Sequence, residues 1–466
     1  MNHSLTDNLN KANYNPTTAS LLVFGLLGGL AGLALLLPTF KLLSILIVAL
    51  VGAVVIVAKP ERSLWLVISY VLVDYVLRNS PIYFLAGVWD ELAFIGITGL
   101  WIGKMAWEKR ARFDITPLDW SIFIFLAVSV FLLFRKSPDM SIALEGWRAV
   151  AQYVFWFFVA NNLISGKKQV SVITNLMILV ATGIALHGVY QFIIGVPIPP
   201  EWVDKAETGI RTRVYSIIGS PNILGSLMVL TIPLTLSALI NAQNWIRRIL
   251  LFCALGAMGA CLMFTFSRGA WLAAIGGIVF FGLLKDRRIL ILIIVAAFLT
   301  PIAVPSVYDR MSYMLSPEYI KSSQKGGRLV RWEQALDKVE RSPMYGVGLG
   351  RFGGAVAKNN DIPGTFYIDN YYLKTLTEMG IVGLTAMLWL FINCVRLGLS
   401  VYRRVKDDRY LSTLSIGILA GVVGVLLHNA VENIFEVPMM QTYFWVLMGV
   451  LAAMGRIGHP EPDTLE

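Results

Sequence analysis

The chain has 466 residues, of which 56% are hydrophobic and only 15% charged, and its formal net charge is +10. A soluble protein of this length carries roughly a quarter charged residues and folds as more than one domain, so this composition excludes an ordinary soluble globule. Cys253, Cys261 and Cys394 all lie in apolar runs, which excludes a disulfide framework or a cysteine metal cluster and leaves them as small buried hydrophobes.

In chain order the apolar residues fall into about fourteen runs (12–14), each long enough to cross roughly 30 Å of hydrocarbon as a helix. They lie near 19–38, 42–58, 63–78, 87–103, 117–134, 141–163, 169–195, 221–241, 249–266, 269–284, 289–305, 377–401, 410–428 and 437–455. Met1–Thr18 is polar with a lone Lys11, so the first run reads as a retained helix rather than a cleaved leader. The expected fold class is an all-α polytopic membrane protein. Its parts are a tail at 1–18, an N-terminal transmembrane half at 19–195, an outer loop at 196–220 and a transmembrane core at 221–305. A long helical extracytoplasmic loop at 306–370, C-terminal transmembrane helices at 371–456 and a tail at 457–466 complete it.

The basic residues alternate with the runs. Lys59/Arg62, Lys104/Lys109/Arg110/Arg112, Lys167/Lys168, Arg247/Arg248, Lys285/Arg287/Arg288 and Arg403/Arg404/Lys406/Arg409 occupy every second loop. The positive-inside rule then places these loops and both termini in the cytoplasm. Spread in this way, the positive charge reports topology and not a nucleic-acid groove. The chain shows no internal repeat, and its long loop has no counterpart elsewhere, which speaks against an inverted-repeat transporter.

Charges inside or at the rim of a span are costly, and here they gather towards the opposite, outer side. Asp74 and Arg78 end one span, and Asp90 and Glu91 open the next. Glu145 and Arg148, three apart on one helical face, suit either an ion pair or a site. Arg268, in FTFSRGAWLAA, needs an anionic partner, and an anionic ligand is one. His428 and Glu432, four apart in HNAVENIFEVP, read as a packed polar pair or as a site. The outer loops add Arg211, Arg213, Arg310, Lys321, Lys325, Arg328 and Arg331. In GGRLVRWEQALDKVER, Leu329, Trp332, Leu336 and Val339 recur at helical spacing, which predicts an amphipathic helix along the outer membrane surface with Arg328 and Arg331 on one side. Gly348, Gly350 and Gly353 satisfy GxGxxG, but without a βαβ setting they read as a turn or a backbone anion nest and not a dinucleotide site.

A basic, outward-facing cavity suits a lipid that carries phosphate or pyrophosphate, because arginine forks grip phosphate oxygens and keep their charge. If a sugar–pyrophosphate bond breaks there, arginines stabilise the leaving anion and a carboxylate or histidine activates the acceptor hydroxyl. Asp369, His428 and Glu432 are the candidates for the base, and the outer loops hold no DxD-like acidic cluster for a metal.

Four strings, RVYSIIGSPNILG (213–225), FTFSRGAWLA (264–273), RSPMYGVGLGRF (341–352) and DNYYLKTLTEMGIVGL (369–384), resemble the O-antigen ligase and polymerase superfamily over about residues 205–440. The resemblance implies an inverting membrane glycosyltransferase that uses neither metal nor other cofactor. It would move a glycan from undecaprenyl pyrophosphate to a hydroxyl of a glycan, lipid or glycolipid acceptor, on the outer face of the bacterial cytoplasmic membrane. Carried over residue by residue, Arg213 and Arg268 match arginines that hold the pyrophosphate, and Arg328 matches one at the start of the loop helix. Arg331 joins them on the same helix side, with Arg211, Arg148, Asn370 and Glu432 in support. The family's ligases place a histidine just before the next apolar helix; this chain has Asp369-Asn370 there, so Asp369 or His428 takes the base role. The rival reading is a lipid-linked oligosaccharide flippase or transporter, which would place its charges at the midplane.

Overall fold

The computed structural model describes residues 59–108, 115–135, 138–198, 212–291 and 327–458, with isolated positions between them. The runs expected near 19–38 and 42–58, and most of that near 289–305, lie outside the described residues, as do Arg211, Arg310, Lys321 and Lys325. The chain divides into two compact units, one holding Leu72–Lys104 and the other Leu64–Val71 and the described part of Met105–Glu466.

Among the described residues the elements are helical, and they follow the apolar runs. They are α1 (Ser63–Ile68), α2 (Tyr70–Arg78), α3 (Trp89–Glu108), α4 (Asp119–Arg135), α5 (Met140–Ala151), α6 (Trp156–Leu163), α7 (Lys167–Ile194) and α8 (Pro221–Asn241). After these come α9 (Trp245–Phe264), α10 (Arg268–Lys285), α11 (Arg328–Arg341), α12 (Ala355–Asn359), α13 (Tyr371–Arg404), α14 (Arg409–His428) and α15 (Pro438–Ile457). Six of them, α7, α8, α9, α10, α13 and α14, are long and apolar enough to cross a membrane. Large apolar side chains stay exposed along them, such as Leu179, Ile193, Phe252, Leu272 and Ile392, as helices bathed in hydrocarbon require. In the first unit Asp74 is bound by Arg78 at 2.6 Å and by the Trp89 indole at 3.2 Å, so these rim charges are tied to each other.

The second unit is organised around α8, α14 and α15. Nearly every residue of α15 from Met439 to Gly455 is buried, as expected of a helix that is apolar on all sides. α8 packs on α14, α9 and α10, and α10 on α14 as well. The α8–α14 crossing is close because Gly421 lies against the Leu230 carbonyl, where a methyl group would overlap it. The connections 265–267 and 429–437 are short, so the ends of α9 and α14 and the starts of α8, α10, α13 and α15 meet at one end of the bundle.

Candidate functional site at one end of the bundle

Two helices supply a ladder of polar rungs at that end. Asn222 and Ser226 lie four apart in the first turns of α8, a helix opened by the Ser220 cap and Pro221. His428 and Glu432 lie four apart across the end of α14. Ser226 Oγ is hydrogen-bonded to His428 Nδ1 at 2.5 Å, and Asn222 Nδ2 donates to Glu432 Oε2. Both acidic and imidazole rungs are buried, at 7% and 1% exposure.

Arg213 reaches the same ladder from the segment ahead of α8. Its Nη2 donates to Asn222 Oδ1 at 3.3 Å and its Nε to the Thr265 carbonyl at 3.0 Å. That segment is pinned by Val214 N on Phe264 O at 3.1 Å, and by Gln191 of α7, which accepts from the amides of Tyr215 and Ser216 at 3.1 and 2.7 Å. Burial first, and then the positive charge of Arg268, push the Arg213 guanidinium down to about 10, which leaves it charged at neutral pH. Arg268 opens α10, two residues after Phe266, whose φ of 50° is a costly conformation for a bulky side chain.

The loop helix α11 brings two more guanidiniums. Arg328 places Nε 3.6 Å from Asp369 Oδ2 and Nη2 4.0 Å from Glu432 Oε2. Arg331 Nη1 lies 3.2 Å from the same Asp369 oxygen and donates to the Tyr367 carbonyl, also at 3.2 Å. Trp332 Nε1 donates to the Ile368 carbonyl at 3.0 Å, which fixes α11 across the strand of chain that carries Asp369. Asp369 itself holds φ 49°, a left-handed conformation that aspartate tolerates better than most residues. Glu432 is pushed up to about 7, by burial first and then by the charge of Asp369, with Arg328 opposing.

A second buried cluster fastens the loop beneath this site. Lys374 Nζ binds Glu378 at 2.6 Å and Glu436 at 2.9 Å. Phe352 N donates to Glu378 at 3.0 Å, while Ala355 N and the Tyr367 hydroxyl donate to Glu436 at 2.7 and 3.3 Å. The glycine run has a related task. α13 is broken at Gly380, φ 65°. Across the break the amides of Val347 and Gly348 donate to the carbonyls of Thr377 and Glu378 at 2.8 and 3.0 Å. Ile381 and Val382 donate to the carbonyls of Pro343 and Met344 at 2.8 and 3.3 Å. The GxGxxG string is therefore part of a backbone splice into a broken helix, and three of its own amides, those of Gly348, Phe352 and Gly353, are already bonded.

Of the residues expected from sequence, Arg213, Arg268, Arg328, Arg331, Asp369, His428 and Glu432 form one connected group. Asn370 is the N-cap of α13, accepting from Leu373 N at 2.9 Å, so its contact is structural. Arg148 turns Nε to Gln152 at 3.4 Å on the following turn, and Glu145 accepts from Asn360 at 2.9 Å. The α11 stripe is shifted from the expected one: Ala335 is buried and Trp332 packs beside it, whereas Leu329 and Leu336 are each 48% exposed. Sequence reasoning named Glu432 among three candidate bases but then placed it in support behind Asp369 and His428, and it passed over Asn222, Ser226 and the Lys374 cluster. The i, i+4 pair Lys374/Glu378 inside an apolar run was the one signal available for the last of these.

A membrane protein that is helical throughout its described residues, with an arginine-rich site where its helices end, is the class that these features define. Residues 251–388, from α9 into α13, match the family model described as O-antigen ligase. The match bears out the resemblance to the O-antigen ligase and polymerase superfamily, and its span contains Arg268, Arg328, Arg331 and Asp369. With the apolar helices it points to a bacterial membrane protein that transfers glycosyl groups in polysaccharide assembly. No curated protein matches the chain.

Proposed function

We propose that this protein transfers a glycan from an undecaprenyl-pyrophosphate-linked donor to an acceptor hydroxyl, as a polymerase or ligase on the outer face of the cytoplasmic membrane. The observation that carries this reading is the convergence of four guanidiniums from three separate chain segments at one end of the bundle. A glycosyl pyrophosphate diester is a dianion, and four guanidiniums against two carboxylates make a cationic cradle for it. In transfer, the acceptor oxygen bonds to the anomeric carbon while the carbon–oxygen bond to pyrophosphate breaks. The leaving group gains a further negative charge, and donors already aimed at it stabilise that charge in a poorly solvated site.

A flippase reading has one feature in its favour, the broken helix α13, since discontinuous helices often mark transport sites. Here, however, the groups opened by the break at Gly380 are taken up by residues 343–348, which leaves those groups no ion to coordinate. The test is to reconstitute the purified protein with undecaprenyl-pyrophosphate-linked glycan from the source cells. A new glycosidic product and released undecaprenyl pyrophosphate are expected; movement of the donor across the bilayer without a covalent product would favour the flippase.

A further inference from the structure

Three groups at the site could accept the acceptor's proton, and their surroundings differ. His428 has Nδ1 committed to Ser226 Oγ at 2.5 Å and is 1% exposed. Its Nε2 faces Gly269, where an added methyl would come within 3.1 Å. The imidazole packs between α8 and α10, with one nitrogen bonded to Ser226 and the other against the backbone of Gly269. Asp369 is more accessible, but its Oδ2 is shared by Arg328 and Arg331 at 3.6 and 3.2 Å. An anion shared by two guanidiniums spaces and aims them, and so marks the place that a phosphate oxygen takes when donor binds.

Glu432 is placed differently. Its Oε2 accepts from Asn222, whose own Oδ1 holds Arg213, and its Oε1 accepts from the Asn433 amide at 3.3 Å. Arg328 stands 4.0 Å away, at the outer limit of an ion pair. The carboxyl therefore lies at the seam between the bundle arginine Arg213 and the loop arginine Arg328, where a pyrophosphate spanning both would present its sugar.

We infer that Glu432 is the catalytic base of this site and that Asp369 is a positioning residue for Arg328 and Arg331. The inference rests on the glycosyltransferase reading above. The Glu432 carboxylate takes the proton of the acceptor hydroxyl as that oxygen bonds to the anomeric carbon. The electron pair of the breaking carbon–oxygen bond goes to the pyrophosphate, and Glu432 afterwards returns its proton to water. A base that titrates near neutrality is suited to this task, and Glu432 is pushed up to about 7. The groups facing it are Arg213 ahead of α8 with Arg268 behind it, Arg328 on α11, Tyr367 and Asp369 ahead of α13, and His428 one turn back.

The sign of each neighbour's effect gives the test. Turnover of the wild type in proteoliposomes, with extracted lipid-linked glycan as donor, should rise with pH through about 7, because the ionised carboxylate is the active form. Glu432→Gln keeps an acceptor for Asn222 and should lose about 10²–10⁴-fold in kcat while still binding undecaprenyl pyrophosphate. Asp369→Asn removes a negative neighbour, so the rising limb of its remaining turnover should move to lower pH, while its looser hold on Arg328 and Arg331 should raise KM for the lipid-linked donor. Arg328→Gln removes a positive one and should move the limb upward. Wild-type turnover in these vesicles tests the glycosyltransferase reading itself. Given that turnover, near-normal kcat in Glu432→Gln, or a rising limb that does not move in Asp369→Asn, overturns the assignment to Glu432.

Discussion

At Lys374 a single buried ammonium serves two carboxylates, Glu378 and Glu436, which are themselves almost fully enclosed. Bringing three charges out of water is costly, and the arrangement persists because backbone amides of Phe352 and Ala355 and the Tyr367 hydroxyl supply the remaining hydrogen bonds. Removing the cation leaves two buried carboxylates facing each other. Lys374→Met should therefore lower stability by about 3–5 kcal/mol, read as a fall in the thermal unfolding midpoint in detergent. An unchanged midpoint would mean that the cluster is more solvated than its burial implies. The residue scale was also the least legible in the sequence. Asn222 and Glu432 are 210 positions apart, so no local pattern joins them, and nothing local ranked Glu432 above Asp369 or His428 as the base. Arg268 stood out because a guanidinium set between two apolar runs needs an anionic partner, and Arg213 because the string that it opens, RVYSIIGSPNILG, resembles the family.

At the scale of elements, hydropathy carried most of the information. The runs near 169–195, 221–241, 249–266, 269–284 and 410–428 each correspond to one helix with ends shifted by a few residues. The break in α13 was not visible, since MGIVGL stays apolar through Gly380 and nothing local distinguishes an opened turn from a helical glycine. Helical spacing located α11 and included Trp332 in its packed face, but missed Ala335, which lies with Trp332 against Phe352 and Ile368 while Leu329 and Leu336 stay exposed. Gly380 should be intolerant of a side chain: its φ is 65° and a methyl would overlap the Met344 carbonyl. Gly380→Ala is expected to cost about 1–3 kcal/mol and to unseat the splice. Hydrogen exchange at the Val347 and Gly348 amides reads this directly. Fast exchange in the variant and slow exchange in the parent protein is the expected pattern, and equal protection in both would contradict it.

At the scale of the whole molecule, the arginine cluster and the exposed basic loops occupy opposite ends of the helices of the second unit. At the far end Lys167 binds Asp408 at 2.5 Å and Lys285 donates to Thr413 at 2.7 Å, close to Arg403, Arg404 and Lys406. The positive-inside rule assigns that end to the cytoplasm and the arginine site to the outside. With the exposed native Cys253 replaced by serine, a cysteine at the exposed Leu336 should react with a membrane-impermeant maleimide in intact cells. A cysteine at the exposed Lys406 should react only after permeabilisation. The reverse pattern would invert the topology and remove the outer-face site.

In the proposed function the arginines at this end of the bundle hold the pyrophosphate through glycosyl transfer. Arg268 is the sharpest probe, since it opens α10 beside Arg213 and the two weigh on each other electrostatically. Turnover of lipid-linked glycan by Arg268→Ala, measured beside the parent protein in the same proteoliposomes, tests the claim most directly. A loss of about 10²–10³-fold or more is predicted, the scale for removing one donor that stabilises developing negative charge. Undiminished turnover would contradict it.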